Sequence, residues 1–249
     1  MIRTYFLSVA AGKRLIAKAA VALPEVQEAL SKHTIVVAAG TTNAYIAEEF
    51  LTLLGDTTPF VRRDFFRGAT AVDAIPGKAS GPVCDLVIKK GKRVLEKTVD
   101  DIVPRLEKGD VIFKGANAVN LEACEAGVLI GNPLLGTSLP IIQAAFGRKI
   151  RLIVPVGLEK RVDVPISDLA NLLSQPEAEG LGLLPLPGEI LTELDAVEIL
   201  TGAVAELVAA GGICGAEGGY WLTLEGDDSE IEEAEKLFSE VKKEPAAFL

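Results

Sequence analysis

Apolar residues in the N-terminal part of the chain predict two helices, a strand and a third helix. They recur at helical spacing over 8–23, and Pro24 begins a second helical stretch, a position that favours proline because its missing N–H would be unpaired there anyway. The run 34–39 is continuously apolar and predicts a buried strand. Helical spacing then returns over 42–55 and ends on Gly55, a residue type that commonly ends helices.

The middle of the chain alternates between strand-like and helix-like patterns. A polar, irregular stretch over 56–82 comes first, and its length is typical of loops that carry function. An apolar run over 126–131 leads into a loop that feeds a helix over 132–149. The other predicted elements are a hairpin over 85–99 that turns at Lys90 and Gly91, a short helix over 101–110, strands over 111–116 and 150–157, and a helix over 165–175.

A segment rich in glycine and proline, 176–189, predicts a linker. Beyond it the pattern predicts strand, helix, strand and helix over 189–200, 202–212, 218–226 and 228–244, with Asp228 or Ser229 capping the last helix. We therefore expect two domains, an α/β ligand-binding domain over 1–178 and a small β-α-β-α module over 186–249.

Composition favours an α/β protein. The chain of 249 residues is 49% hydrophobic but only 5% aromatic, so its core must be aliphatic. Aliphatic strands that alternate with helices predict an open, mostly parallel sheet covered by helices on both faces. In such sheets ligands bind beyond the carboxyl ends of the strands.

Charge and residue usage exclude several classes of function. The net charge of −10 argues against a nucleic-acid partner, which would require a basic face. Lysines and arginines interrupt every apolar run near the N-terminus, and no stretch reaches the roughly 18 apolar residues of a membrane span, so we expect neither a secretory signal nor membrane insertion. Three widely spaced cysteines fit a reducing cytoplasm and suggest no zinc site, and the single His and single Met favour a thermophilic source.

Polar loops follow four of the predicted strands, and we expect them to meet in one crevice. The first is Gly40, Thr41, Thr42 and Asn43, whose small side chains stand beside the unpaired N–H groups of a helix start, which attract phosphate or carboxylate. A plain helix cap is the alternative for this loop. The arrangement recurs at Gly136, Thr137 and Ser138, and the fourth loop, over 157–161, reads GLEKR.

The loop after the strand 111–116 holds Lys114, Gly115, Asn117 and Asn120. Lys114 could bind an anion or, if desolvated, act as a base, and its alternative is an exposed lysine at a strand end. In the stretch 62–68, RRDFFRG, arginines including Arg67 stand near two phenylalanines; they could bind a phosphate or carboxylate, or line a subunit contact.

The order of AAGTTNAYIAEEF, DVIFKGANAVN and GTSLPIIQAAFGRKIRLIVPVGLEK resembles the superfamily of ribose-5-phosphate isomerases, glucosamine-6-phosphate deaminases and CoA-transferases, over roughly residues 10–170. In the isomerases a Gly-Thr-Gly-Ser-Thr loop binds the sugar phosphate, and Gly40–Asn43 resembles that loop. The resemblance also implies a ferredoxin-like module, for which the C-terminal segment is a candidate.

The chain departs from this superfamily at the groups that would do chemistry. The isomerases carry Asp-Gly-Ala-Asp-Glu after the middle strand, whereas this chain has amides at Asn117 and Asn120, which cannot act as general bases. His33, the only histidine, lies at the opposite end of its strand from Gly40, which argues against deaminase chemistry. The CoA-transferases use a glutamate nucleophile, a role for which Glu122 and Glu125 are candidates, and this resemblance implies CoA. Exposed acids on a short helix are the alternative.

We therefore expect a homo-oligomer that binds a small anionic metabolite such as a sugar phosphate or an acyl-CoA, and turnover of this metabolite stays open at this point. Lys114 and Glu125 are the candidate catalytic residues. A non-catalytic metabolite sensor of the same fold is the alternative.

Overall fold

The computed structural model describes residues 1–68 and 85–245, which form an α/β fold with three sheets. Most of the stretch 56–82 lies outside the described residues, and its described part contains a 3₁₀ turn at Arg62–Phe65. The strands are β1 (Ile2–Leu7), β2 (Thr34–Val37), β3 (Leu86–Lys89), β4 (Lys92–Val94), β5 (Val111–Phe113), β6 (Ala118–Asn120), β7 (Glu125–Ile130), β8 (Arg151–Pro155), β9 (Gly182–Pro185), β10 (Glu189–Leu191), β11 (Val204–Ala210) and β12 (Tyr220–Glu225). The helices are α1 (Val9–Ala22), α2 (Pro24–Lys32), α3 (Thr41–Leu53), α4 (Val99–Ile102), α5 (Ser138–Ile142), α6 (Ile166–Leu173), α7 (Glu193–Thr201) and α8 (Asp228–Val241).

The largest sheet is mixed, with strand order β10-β8-β5-β2-β3-β4. The first four strands are parallel, and β3 and β4 add an antiparallel hairpin. Its turn at Lys90 and Gly91 takes φ of 49° and 72°, as a tight hairpin turn requires, which confirms the predicted hairpin. Because β2, β5, β8 and β10 are parallel, the loops that leave them all emerge at one edge of the sheet.

Each face of this sheet has its own core. Val37, Phe113 and Ile153 lie in register and pack under α1, α3 and α7. Val36 and Ile112 point to the opposite face, where α4, α5 and the small antiparallel sheet β6-β7-β9 cover them. The α/β class expected from the aliphatic composition is thus present, with a sheet that mixes parallel and antiparallel strands.

The third sheet joins the two ends of the described chain. β12 lies between β1 and β11 in antiparallel order, and β1 pairs with β12 from Ile2–Glu225 to Leu7–Tyr220. The rings of Tyr5 and Phe238 lie 4.6 Å apart, which packs α8 against this sheet. The predicted small module therefore contains a strand from the N-terminal end, while β10, within the same predicted range, belongs to the largest sheet.

Three predictions for the C-terminal segment are wrong. The range 189–200, predicted as one strand, holds only the short β10 before α7 begins, because Thr192 and Asp195 form a capping box and Gly202 ends the helix at a φ of 81°. The range 202–212, predicted as a helix, contains β11, because its pairing with β12 outweighs the helix preference of its alanines. The cap of α8 is Asp227 rather than Asp228 or Ser229.

Within residues 1–68 and 85–245, no helix combines the length and the apolarity that crossing a membrane requires.

Candidate anion-binding site

The polar loop after β2 does not cap α3 with its side chains. Gly40 is the N-cap, Thr41, Thr42 and Asn43 are the first three helical residues, and no side chain in the described part of the chain caps the helix start. Asn43 Nδ2 instead donates to Ala38 O at 2.7 Å and to Phe113 O at 3.1 Å, which joins the ends of β2 and β5. The backbone N–H groups at the start of α3 therefore remain unoccupied by a cap and lie at the edge where the parallel strands end.

Two buried polar atoms beside this helix start find no hydrogen-bond partner within the described part of the chain. Thr42 and Asn43 are only 2% and 1% exposed, and Thr42 Oγ1 and Asn43 Oδ1 both lack a partner. A Cβ at Gly115 would lie 4.0 Å from Asn43 Oδ1 and 3.8 Å from Pro155 O, so the glycine faces the gap between the ends of β5 and β8. Since buried polar atoms are rarely left unpaired, this gap is a natural place for an ordered water or a ligand atom.

Lys114 leaves β5 on the other face of the sheet. Phe113 packs under the helices, so the alternation of a strand turns Lys114 toward the face of Ile112, beside Ala38 of the neighbouring chain segment. Burial, and then the positive charge of Arg67, lower the pKa of the Lys114 ammonium, while Asp85 opposes them. Lys114 forms no ion pair and no side-chain hydrogen bond with any residue in 1–68 or 85–245. The alternative of an exposed lysine at a strand end therefore does not describe it.

Asp85, the carboxylate closest in register to this lysine, is held in place by other donors. Its Oδ1 accepts from Ala39 N at 2.8 Å and from Arg67 Nη1 at 3.2 Å, and its Oδ2 accepts from Val99 N at 2.7 Å. The Asp85 side chain is fully buried, whereas the Arg67 side chain is 33% exposed. Arg67 also borders the start of α3, because its carbonyl oxygen would lie 3.9 Å from a Cβ at Gly40. The backbone of Arg67 is thus close to the start of α3, and its side chain is paired with Asp85.

The remaining predicted residues of the middle loop hold the small sheet together. Asn117 Oδ1 accepts from Leu129 N at 3.0 Å. Asn120 donates to Val162 O at 3.0 Å and accepts from Ala123 N at 2.7 Å. Both side-chain amides thus form hydrogen bonds with backbone groups of the small sheet and its neighbours. Their role in ligand binding stays a prediction.

The other two predicted groups are Glu125, on β7 of the small sheet, and Gly136–Ser138, which follow that strand; neither belongs to the largest sheet. Gly136 and Thr137 follow β7, which is antiparallel to its neighbours, so the rule for parallel strands does not bring them to the edge at Gly40. Ser138 begins α5 and is 2% exposed. Glu125 Oε2 accepts from Ser167 N at 2.9 Å and from Ser167 Oγ at 3.2 Å, at the start of α6.

A second polar cluster at the same edge follows β8 and β10, where the sequence pattern singled out no residue. Lys160 Nζ donates to Ala116 O at 2.9 Å, which ties the loop after β8 to the loop that contains Lys114 and Gly115. Lys13 Nζ lies 3.2 Å from Glu159 Oε1 but outside hydrogen-bonding direction, and neither oxygen of Glu159 accepts a hydrogen bond from a described residue. The cluster places a buried carboxylate between two ammonium groups.

Glu193 is the second carboxyl group of this cluster. It is fully buried, its Oε2 accepts from Leu158 N at 2.9 Å, and its Oε1 accepts from the hydroxyl of Tyr220 at 2.6 Å. Burial, and then the negative charge of Glu159, raise the pKa of Glu193 to about 7. The GLEKR loop was a sequence signal for this cluster, whereas Glu193 lay inside the range 189–200 that was predicted as a strand.

No family model, no curated protein and no solved structure matches this chain. The fold and the site therefore define the protein only as a mixed α/β protein with a polar, partly cationic edge at the carboxyl ends of its parallel strands.

Proposed function

We propose that this protein binds a small anionic metabolite at the carboxyl edge of its parallel strands, with Lys114 and Arg67 as the cationic groups. The observation that carries the proposal is Lys114, a desolvated ammonium without an ion-pair partner among residues 1–68 and 85–245. A buried charge is costly unless it is paired, so a phosphate or carboxylate that reaches this lysine would gain an attraction largely unscreened by water.

The start of α3 supports the same class of ligand. The helix has thirteen residues, its first N–H groups are not capped by a side chain, and its dipole favours negative charge at this end. The backbone of Arg67 lies beside Gly40 and its guanidinium pairs with Asp85, in the row of Lys114, which supports one ligand that reaches the helix start, Arg67 and Lys114.

The test is anion-dependent thermal stability of the full chain and of the Lys114→Met variant. Phosphate, sulfate, sugar phosphates and CoA esters should raise the melting temperature of the unmodified protein by an amount that grows with the logarithm of ligand concentration. The variant should lose this rise. Its own melting temperature should not fall, because the substitution removes a desolvated charge rather than a contact.

Lys92→Met is the matched control, since Lys92 is an exposed lysine on β4 of the same sheet. It should keep the full response to anions. Equal responses in the unmodified protein and in both variants would refute the proposal, as would the absence of any response to the whole set of anions.

The same experiment separates the finer alternatives. The resemblance to ribose-5-phosphate isomerases and CoA-transferases, with its ferredoxin-like module, stays a proposal that a selective response to sugar phosphates or to CoA esters would support. Glu159 is a carboxylate at the sheet edge that an enzyme of this kind could use, whereas Glu125 is engaged with Ser167. A response to anions without turnover of any of them would favour the metabolite sensor.

A further inference from the structure

Among residues 1–68 and 85–245, Lys114 has no counter-ion, and the hydrogen bonds of Asp85 give the structural reason. Asp85 precedes β3 and lies in the same row across the sheet as Ala38 and Lys114. Two backbone N–H groups and Arg67 donate hydrogen bonds to its two oxygens. Turning this carboxylate toward Lys114 would leave the N–H groups of Ala39 and Val99 unpaired, and Val99 is fully buried. The arrangement keeps the carboxylate away from the amine.

A lysine in this setting has a second use besides binding an anion. Its neighbours favour the neutral amine, because burial and the adjacent guanidinium both disfavour a further positive charge. A neutral, desolvated lysine amine is a nucleophile toward carbonyl carbon, whereas a solvated ammonium is not. Arg67 stands beside it as a planar donor that matches a carboxylate or a phosphate.

We propose that Lys114 Nζ forms a Schiff base with the carbonyl carbon of an anionic aldehyde or ketone whose carboxylate or phosphate is bound by Arg67. This inference rests on the proposed function, since it names the class of anion that the same site takes. It also assigns Lys114 a covalent role that a site for simple anions would not need.

The step balances without any further reactant. The nitrogen lone pair of the neutral amine adds to the carbonyl carbon, and the carbonyl oxygen takes up a proton to give a carbinolamine. After addition the nitrogen loses one proton, which balances the proton taken up by the oxygen. The carbinolamine then loses its hydroxyl group with a second proton from the nitrogen as one molecule of water, so the two hydrogens of that water balance the two lost by the amine. A carbon–nitrogen double bond remains, and addition of water reverses the sequence.

The experiment is reductive trapping on the full chain with two matched pairs of probes. Pyruvate and glyceraldehyde 3-phosphate each carry a carbonyl and an anionic group, while lactate and glycerol 3-phosphate keep the anionic group and lack the carbonyl. Cyanoborohydride would reduce an imine to a stable secondary amine, which intact mass and peptide mapping would locate. We expect one adduct per chain at Lys114 with a carbonyl probe and only background labelling at the exposed Lys92, because burial lowers the pKa of Lys114 and so favours its neutral amine.

Lys114→Arg keeps the charge but cannot form the imine, so it should abolish the adduct while Lys92→Arg leaves it intact. Circular dichroism and the melting temperature would show that both variants fold, and the unmodified protein supports the comparison even if one variant does not. Labelling that follows surface exposure, with Lys114 no more reactive than Lys92, would overturn the proposal.

The two proposals fail in different ways. A rise in melting temperature with lactate or glycerol 3-phosphate, but no adduct at Lys114 with either carbonyl probe, would overturn the Schiff base and leave anion binding in place. If no anion raises the melting temperature and no carbonyl probe forms an adduct at Lys114, both proposals fail.

Discussion

Glu193 shows how a single buried residue can set the response of this protein to pH. Its carboxyl group is fully buried and accepts hydrogen bonds from Leu158 N and from the hydroxyl of Tyr220. Its pKa is raised from 4.5 to about 7, so between these values the folded protein keeps a proton that the unfolded chain has lost. The contribution of Glu193 to stability should therefore fall as pH rises through this window and be constant on either side of it.

The Glu193→Gln variant should lack this decrease, which amounts to at most about 3 kcal/mol at about 1.4 kcal/mol per pKa unit. Urea unfolding from pH 4 to pH 8 would measure it as the difference between the two curves. Glu198→Gln, which changes an exposed acid on the same helix, should reproduce the curve of the unmodified protein. If the stability of the Glu193→Gln variant followed pH in parallel with that of the unmodified protein, the raised pKa of Glu193 would be contradicted.

Single residues also mark the limit of what the sequence could predict. The pattern placed Gly40–Asn43 and Lys114 correctly at strand ends, because an apolar run followed by small polar residues is a local signal. It could not show that the side-chain amide of Asn43 donates to the carbonyl of Phe113, seventy residues away, or that hydrogen bonds hold Asp85 away from Lys114. Those facts depend on strand order, which no local pattern contains.

At the scale of elements, α1 can approach the starts of β12 and α7 only because it contains Gly12. A Cβ at this position would lie 1.8 Å from the Tyr220 hydroxyl and 2.6 Å from Glu193 Oε1. The helix thereby packs against the start of β12 and the start of α7, although glycine weakens helices.

The Gly12→Ala variant should therefore be less stable by about 1–3 kcal/mol, the usual effect of overpacking, although alanine is the better helix former. Tyr220→Phe removes the oxygen that the new methyl group would meet, so part of the loss should disappear in the double variant. A double-mutant cycle of unfolding free energies would measure this coupling. Additive effects of the two changes would show that the close approach is not what selects glycine.

Gly147→Ala is the control, because a Cβ at Gly147 would meet no atom within 4 Å. It should change stability little.

The errors in the C-terminal segment also belong to this scale. Thr192, Asp195 and Gly202 carried readable helix start and stop signals, so α7 could have been recognised from the sequence. β11 could not, because its alanine-rich composition favours a helix and only its partner β12 makes it a strand.

At the scale of the whole molecule, the predicted division at residues 178 and 186 stays a prediction, but the strand pairing bears on it. β1 supplies one edge of the sheet that contains β11 and β12, and Leu7 within it is fully buried. A segment of residues 186–249 alone would lack this strand, and its β10 would lack its partner β8.

Deleting residues 1–7 should therefore loosen a region far away in the sequence. Hydrogen exchange of the β12 amides should become faster, because they lose their hydrogen-bonded neighbour, while amides of β2 and β5 should change less. Arg3→Ala, which removes only an exposed ion pair with Glu235, should leave exchange in β12 unchanged. Unaltered protection of β12 in the deletion variant would mean that β11 and α8 suffice to order this sheet.

The pairing of β1 with β12 also has a consequence for the order of events during folding. Almost the whole chain separates the two strands, so their union must wait until everything between them has been made and brought to nearly native positions. During synthesis β1 spends the longest time of any strand as an unpaired, partly apolar edge. β1, which precedes the other described strands in the chain, is thus among the last of them to find its partner, and the speed of that final closure should limit how fast the fold becomes resistant to proteases.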